Sequence, residues 1–144
     1  SSRGDLRLID ADPEFIDLLI DMQERAQIQG YGDNYPDAFH FIIEKLGERV
    51  GRVMVAFGEQ EVRVVEISLI PAVRRLGFGK TVLQALQQAA DQVKTPLTLC
   101  ALRHNTAAIA FYQGLGFQVA ASGPVVDLLV WYPAILRQNR ATNR

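Results

Sequence analysis

The sequence predicts an α/β fold in which one mixed β-sheet carries helices on its faces. Apolar residues recur with helical spacing in three segments, and seven short apolar runs have the alternation or β-branched content of strands. Turn residues separate these segments. A chain of 144 residues, 49% hydrophobic and 22% charged, is enough for one domain without disulfides or metal. The predicted order is β-α-β-β-β-α-β-α-β-β, in a single domain over residues 5–133.

The first two elements are a strand and a helix. Residues 5–9 alternate in polarity, and the tripeptide Asp-Pro-Glu at 12–14 is typical of a helix start. The helix is predicted to reach about residue 28, and one apolar face follows from its spacing: Phe15, Leu18, Leu19 and Met22. Residues 29–38 are turn-rich and predict a loop.

Three β-branched runs, at 39–44, 49–57 and 61–70, predict an antiparallel meander. The third run is apolar on both faces near its end, which is typical of a central strand. If the Gly-Glu-Gln turn is a three-residue loop that pairs Phe57 with Glu61, Arg52 lies opposite Glu66.

The second half predicts a helix at 77–93, a strand at 96–102, a helix that begins after Asn105, and strands at 116–120 and 125–132. The second of these helices is expected to end near the glycine at 114.

Composition excludes several functional classes. The net charge of −1 gives no basis for nucleic-acid binding. No apolar run approaches the ~20 residues of a membrane span, and no secretory signal is recognised, so we expect a cytoplasmic protein. Cys100 is the single cysteine and is expected to be a small core residue. Nothing in the sequence decides the oligomeric state, and a homodimer is compatible with it.

The segment Arg74–Thr81, RRLGFGKT, raises the question of a nucleotide-binding loop. A P-loop needs a glycine five residues before the Gly-Lys-Thr, and that position is Arg74, so this reading is disfavoured. Gly77 and Gly79 nevertheless stand at a helix start, where free amides and the helix dipole favour an anion. This arrangement suits a pyrophosphate that is held without being cleaved.

Residues 74–79, read as Arg-x-x-Gly-x-Gly, resemble the acetyl-CoA signature of the GNAT superfamily of N-acetyltransferases. The block NTAAIAFYQGLGF at 105–117 resembles the second motif of that family, and EISLIP at 66–71 fits the strand before the loop. The element order matches over nearly the whole chain, and the central stretch is similar to small, mostly uncharacterised bacterial members. The resemblance implies a GNAT-like acyl-CoA N-acyltransferase fold and acetyl transfer from acetyl-CoA, as cosubstrate, to an amine.

The resemblance also implies cofactor contacts. Pantetheine would pair with the main chain of Ser68, Leu69 and Ile70, in a gap where their strand diverges from its neighbour. Asn105 would cap its helix and contact the cofactor. The phosphates would lie in a loop of seven residues, which are Arg74, Arg75, Leu76, Gly77, Phe78, Gly79 and Lys80.

Tyr112 is the residue that the resemblance implies as proton donor to the departing thiolate. Its neighbour Phe111 is expected in the core. Glu66, expected to share a face with Val64 and Ser68, is the candidate base, and we leave open whether it serves catalysis, acceptor binding or structure. A cationic neighbour would make Glu66 a weaker base. The family's other common carboxylate position, five before the cap, is occupied by Cys100.

No metal site is predicted, because His40 and His104 lack a second ligand at a suitable spacing. The acidic, tyrosine-containing loop at 31–37 falls where the family binds its acceptor, a small-molecule or peptide amine. Two other functional classes stay open. One is a non-catalytic acyl-CoA-binding module on the same fold, and the other, less favoured, is a nucleotide switch.

Overall fold

A computed structural model describes residues 5–9, 13–29, 38–74 and 76–137. The strands are β1 (Asp5–Ile9), β2 (Ala38–Lys45), β3 (Glu48–Phe57), β4 (Val62–Leu69), β5 (Leu97–Leu102), β6 (Gln118–Ser122) and β7 (Val126–Trp131). The helices are α1 (Pro13–Gln29), α2 (Phe78–Gln92) and α3 (Thr106–Gly114), with a 3₁₀ turn at Pro71–Val73. The predicted element order is confirmed.

The seven strands form one mixed sheet in the order β1-β2-β3-β4-β5-β7-β6. The pairs β1–β2 and β4–β5 are parallel, and the other neighbours are antiparallel. Each parallel pair is joined through a helix, α1 or α2, as parallel neighbours require. None of the helices described is long and apolar enough to cross a membrane.

Strand ends agree with the predicted boundaries to within two residues. The largest shift is in β6, which begins at Gln118 although the apolar pattern begins at Gly116. Gly116 has a φ of +98°, and the Phe117 N–H donates to the Tyr112 carbonyl at 3.1 Å. These two residues therefore complete the C-terminal turn of α3, and the strand can start only after them.

One face of the sheet packs on the helices and forms the core. Phe41, Val53, Val64, Leu99 and Leu129 contribute from the strands, and all are at most 4% exposed. Helices α1 and α2 cover them with buried apolar residues, among them Phe15, Leu19, Leu83 and Leu86.

The opposite face of the central strands carries polar side chains, and we call it the polar face. Its members follow from the cross-strand registers: Arg49, Arg52, Arg63, Glu66, Ser68, Thr98 and Cys100. Cys100 is exposed there, so its expected place in the core is wrong. It follows the buried Leu99 on β5, and strand alternation turns its side chain away from the helices.

Two β-bulges modify the alternation of the central strands. On β3 the register shifts between the pairs Ile43↔Gly51 and Glu44↔Arg49, which leaves Val50 as the extra residue. On β4 it shifts between Val55↔Val64 and Met54↔Glu66, which leaves Val65 as the extra residue. Each bulge changes which residues beyond it face the helices.

The observed register of the β3–β4 hairpin differs from the predicted one. Phe57 pairs with Val62, and Arg52 pairs with Ser68, while Glu66 lies opposite Met54. Glu66 shares the polar face with Ser68 but not with Val64, which is buried in the core. The register differs because the loop is one residue longer than predicted and Val65 adds another residue, neither of which polarity alternation can reveal.

Arg52 and Glu66 nevertheless form an ion pair, along the diagonal between the two strands. Arg52 Nη2 lies 3.2 Å from Glu66 Oε2, with side-chain exposures of 48% and 40%. Diagonal neighbours lie within reach of long side chains. The predicted charge pairing is thus present, although the predicted register is wrong.

Gly51 marks the closest approach between β3 and β4. A Cβ there would overlap the Ser68 carbonyl oxygen and lie 2.7 Å from Leu69 Cδ2. We expect Gly51→Ala to lower the free energy of unfolding by about 1–3 kcal/mol, because the backbone must shift. Gly114→Ala is the control, since a Cβ there meets nothing within 4 Å and is expected to be neutral or stabilising by up to about 1 kcal/mol. Urea unfolding measures both, and equal effects would contradict the close approach.

A double-mutant cycle with Arg52→Met and Glu66→Gln tests the diagonal ion pair. Because both side chains are well exposed, we expect a coupling of only about 0.2–1 kcal/mol. The coupling should shrink in high salt as the charges are screened. Pairing Arg52→Met with Glu59→Gln, in the distant β3–β4 turn, should give additive effects. A salt-independent coupling, or none at low salt, would contradict the pairing.

Candidate functional site

The N-terminus of α2 is built from glycine and carries no side-chain cap. Gly77, the N-cap, has a φ of +91°, a conformation that glycine adopts at little cost. The first helical hydrogen bond runs from Thr81 N–H to the Gly77 carbonyl at 2.9 Å. The amides of the first three helical residues therefore have no helical carbonyl to donate to. A Cβ at Gly77 would meet nothing within 4 Å, so the surface in front of these amides is open.

Basic and apolar side chains surround this helix start. Arg74 Nε donates to the Leu69 carbonyl at 3.2 Å, which ties the loop to the end of β4. Lys80 and Leu76 are exposed, and Arg75 lies outside the described residues. With the positive end of the helix dipole, this arrangement can hold an anionic group such as a phosphate.

Phe78 and Gly79 join the loop to the body of the domain. The Phe78 ring packs against the core, and Lys45 Nζ lies 5.8 Å from its centroid. A Cβ on Gly79 would be only 3.7 Å from Leu69 Cδ1.

Strands β4 and β5 stop pairing halfway along their length. Their register contains three pairs, the last of which is Val64↔Leu99, although β4 continues to Leu69 and β5 to Leu102. We call the space beyond the last pair the β4–β5 gap. It opens at the Val65 bulge and leads toward the N-terminus of α2, so an extended amide-bearing chain could pair with the free strand edge.

Backbone alternation decides which residues of β4 face the gap. The Ile70 N–H donates to the Val50 carbonyl of β3 at 2.9 Å. Because successive residues of a strand point their backbone groups to opposite sides, those of Leu69 and Ile67 face the gap, while those of Ser68 face β3. The sequence prediction named Ser68, Leu69 and Ile70 and missed Ile67. Counting every second residue back from Leu69, where β4 ends, could have identified Ile67.

Glu66 and Cys100 lie on the two sides of the gap, on the polar face. Glu66 accepts hydrogen bonds from Arg52 Nη2, at 3.3 and 3.2 Å, and from Ser68 Oγ at 3.4 Å. Cys100 Sγ accepts one from Arg63 Nη1 at 3.8 Å. The Glu66 carboxylate therefore lies near the gap and is paired with the Arg52 guanidinium.

Helix α3 begins at Asn105, whose side chain accepts a hydrogen bond from the Ala108 N–H at 3.1 Å, so the predicted N-cap is confirmed. Tyr112 lies two turns further and packs against the same core as Ile67 and Leu69. Phe111 is 43% exposed, so its expected place in the core is wrong. Residue 112 follows 108 and 109 at the i, i+4 and i, i+3 spacings of one helix face, whereas residue 111 is two positions from 109 and lies on the other side of the helix from it.

The Tyr112 ring is half-buried, with the Phe117 ring 5.9 Å away in an edge-on arrangement. Its hydroxyl has no hydrogen-bond partner among the described residues. Burial raises the pKa of the Tyr112 phenol, so the group stays protonated at neutral pH. Tyr112 is therefore able to donate a proton and is a poor base.

His104 is not among the described residues around the β4–β5 gap. Within the described ranges, no cluster of three or more histidine, cysteine or acidic side chains could hold a metal ion. His104 lines a separate surface depression with Arg103, Pro124 and Val125. The loop at 31–37, where the acceptor was expected, lies outside the described residues.

Comparison with solved structures shows the same fold in known acetyltransferases. The ribosomal-protein-S18-alanine N-acetyltransferase from Escherichia coli aligns with a TM-score of 0.60 and 17% identity, over 85% of this chain and 90% of that one. A GNAT family acetyltransferase from Elizabethkingia anophelis with acetyl-CoA bound gives 0.60 and 14%, over 85% and 84%. Ard1 from Thermoplasma volcanium gives 0.56 and 21%, over 61% of this chain and 66% of that one, just under two thirds of its length.

No curated protein sequence matches the chain significantly. The family model described as Acetyltransferase (GNAT) family matches residues 6–117, which is well over half of the chain. This range runs from β1 through α2 and the β4–β5 gap to the end of the α3 motif. By this match, supported by the shared fold, the chain belongs to the GNAT family of acetyltransferases.

Proposed function

We propose that the protein is an N-acetyltransferase, which moves the acetyl group of acetyl-CoA to a primary amine by direct attack in a ternary complex. The observation that carries this proposal is the β4–β5 gap leading to the glycine-capped N-terminus of α2. A gap for an amide-bearing arm beside a phosphate-binding helix end fits the two halves of coenzyme A. The S18-alanine N-acetyltransferase and the acetyl-CoA-bound relative share this fold and support the reading.

In this proposal, the amides of Gly77–Lys80 bind the pyrophosphate, with Arg74 and Arg75 adding positive charge. The pantetheine arm pairs with the main chain of β4, chiefly at Leu69. The Leu69 carbonyl already accepts from Arg74, but a carbonyl oxygen has a second lone pair for the arm. Four further residues of the loop and strand line this path: Ser68, Ile70, Leu76 and Phe78. Asn105 contacts the cofactor in addition to capping α3.

The chemistry requires three proton transfers: the ammonium loses one proton before attack, the attacking nitrogen loses a second as the amide forms, to water or to the Tyr112 phenolate, and the leaving sulfur gains one. The amine nitrogen attacks the thioester carbon, the C–S bond breaks, and the thiolate of coenzyme A leaves. Tyr112 gives its phenolic proton to that sulfur, in keeping with its free hydroxyl and raised pKa. Glu66 is the candidate for removing the ammonium proton before attack, directly or through water. Glu66 is already paired with Arg52, so acceptor binding stays a second role for Glu66.

The acceptor is a primary amine on a small molecule or a peptide. The decisive experiment follows the release of free coenzyme A thiol from acetyl-CoA with panels of small amines, amino acids and peptides. Acetylated product must appear in proportion to the thiol released. Tight acetyl-CoA binding without turnover on any panel would favour the alternative, a non-catalytic acyl-CoA-binding module.

We expect Gly77→Val to abolish coenzyme A binding. The branched side chain would occupy the open space before the α2 amides, and the φ of +91° would strain the loop. Gly47→Val is the matched control, because Gly47 also has a positive φ (+83°) and open surroundings but lies in the β2–β3 turn. Calorimetry should show binding lost in the first variant and kept in the second. Unchanged affinity in Gly77→Val would refute this placement of the phosphates.

Tyr112→Phe should lower kcat by roughly 10²-fold or more, because it removes only the proposed proton donor. Acetyl-CoA affinity and KM should barely change, since the loop and the β4 main chain carry binding. Near-full activity on a verified acceptor would show that Tyr112 is not the general acid.

The same variant provides a stability control. The free energy of unfolding should change by no more than about 1 kcal/mol at neutral pH, because the hydroxyl lacks a partner. Since burial raises the folded-state pKa, the unfolded phenol ionises first as the pH rises past about 10. The wild-type protein should therefore lose stability there, and Tyr112→Phe should lose less.

A further inference from the structure

A surface depression of about 270 Å³ shares Ser68, Leu69 and Ile70 with the proposed cofactor path and extends from them to two arginines that the path does not use. It is formed where the ends of β3 and β4 meet, and two arginines and four other residues line it: Arg49, Arg52, Gly51, Ser68, Leu69 and Ile70. Gly51 contributes only backbone. The depression thus combines two cations with a small apolar wall.

The β3 bulge brings the two arginines to the same face. Arg52 pairs with Ile42 and Arg49 with Glu44, two residues apart on β2, so both arginines point to the polar face. They are three positions apart along β3, and regular alternation would place them on opposite faces. Val50, the extra residue, is 4% exposed and belongs to the core.

The guanidinium groups have donors to spare. Arg49 is exposed and has no ion pair or side-chain hydrogen bond with the described residues. Glu44 lies opposite it but is buried and has an interaction of its own. Both contacts from Arg52 to Glu66 use Nη2, which leaves Nε and Nη1 available. The depression therefore presents guanidinium N–H donors that no side chain of the described residues uses.

The location links this charge to the proposed chemistry. On one side, Arg52 lies 3.2 Å from Glu66. On the other side, Arg49 is displaced from Arg52 by two residues of the facing strand β2, which is roughly 7 Å along the strand. A molecule with its amine near Glu66 can place an anionic group between the arginines if several bonds separate the two groups. Guanidinium forks bind carboxylate and phosphate through paired hydrogen bonds.

We propose that Arg49 and Arg52 form an acceptor subsite, and that the acceptor is a primary amine that also carries a carboxylate or a phosphate. This proposal rests on the acetyl transfer proposed above and adds the chemical class of the acceptor. Ser68 Oγ, on the same face, donates to Glu66 at 3.4 Å, and it could donate to the anion only by giving up that hydrogen bond.

The test compares acceptors in matched pairs that differ only in the anion. Amino acids with a terminal amine, over a range of chain lengths, are paired with the corresponding alkylamines, and aminoalkyl phosphates with the corresponding amino alcohols. The wild-type enzyme should favour the anionic member in kcat/KM by about tenfold or more. The preference should appear mainly in KM and should shrink in high salt. The two series show which anion is recognised.

Arg49→Gln should remove most of that preference by raising KM for the anionic members alone, and Arg49→Lys should restore part of it. Lys94→Gln, which deletes one exposed charge beyond α2, is the control and should leave the preference intact. Thermal unfolding of each variant shows whether the fold is kept. Equal use of both members by the wild-type enzyme, or a preference that Arg49→Gln leaves unchanged, would overturn the proposal.

A binding measurement separates failure of this proposal from failure of the proposed function. In NMR titrations of the coenzyme A-saturated protein, the amines that carry an anion should shift the Arg49 and Arg52 Nε–H signals, and the partners without the anion should not. If no amine is acetylated but these shifts occur, acetyl transfer fails and the subsite stands. If acetylation proceeds but neither arginine signal moves, the subsite fails and the transferase stands.

Discussion

The end of pairing between β4 and β5 is the constraint on which the candidate site depends. Only three residue pairs join the two strands, and the ladder stops at the Val65 bulge. Beyond the bulge, the backbone N–H and C=O groups of Ile67 and Leu69, which face the gap, are not paired with β5. Unpaired backbone groups carry a free-energy cost wherever water is excluded, which explains why Arg74 reaches back to the Leu69 carbonyl. The same open edge is what a cofactor arm can complete.

The polar face around this gap is organised for charge rather than for stability. Arg63 contacts Glu61 at 2.9 Å and also reaches Cys100, while Arg52 contacts Glu66. The Arg52–Glu66 pair is exposed and contributes little to folding, whereas the Arg63–Glu61 pair is partly buried, with side-chain exposures of 25% and 22%. The core on the opposite face does not depend on them, because the buried strand residues pack on α1 and α2. The face covered by α1 and α2 therefore stabilises the fold, and the polar face carries the charged side chains.

Local patterns predicted the element order, the cap at Asn105 and the inward side of Tyr112, because each depends on periodicity or on neighbouring residues. The predictions failed where an extra residue breaks the alternation. Because of the bulge at Val65, Glu66 does not lie opposite Arg52, its predicted cross-strand neighbour. Because of the bulge at Val50, Arg49 and Arg52 lie on the same face of β3, which their spacing in the sequence does not predict. Cys100 and Phe111 were expected in the core from their apolar character, but strand and helix direction turn both outward. A bulge forms where one of two paired strands has an extra residue, so the sequence of one strand alone does not reveal it.

The Val50 bulge has a consequence for how such a protein can diversify. Deleting this one residue would restore regular pairing and leave Arg49 opposite Glu44, on the same face as Arg52. Losing the bulge without a deletion would instead turn Arg49 and the turn that precedes it to the other side of the sheet. Neither the gap nor the α2 glycines would need to change. The bulge at this point, more than residue type, thus decides which side chains stand beside Glu66. A lineage could therefore exchange the charged side chains there by gaining or losing a bulge while keeping the β4–β5 gap.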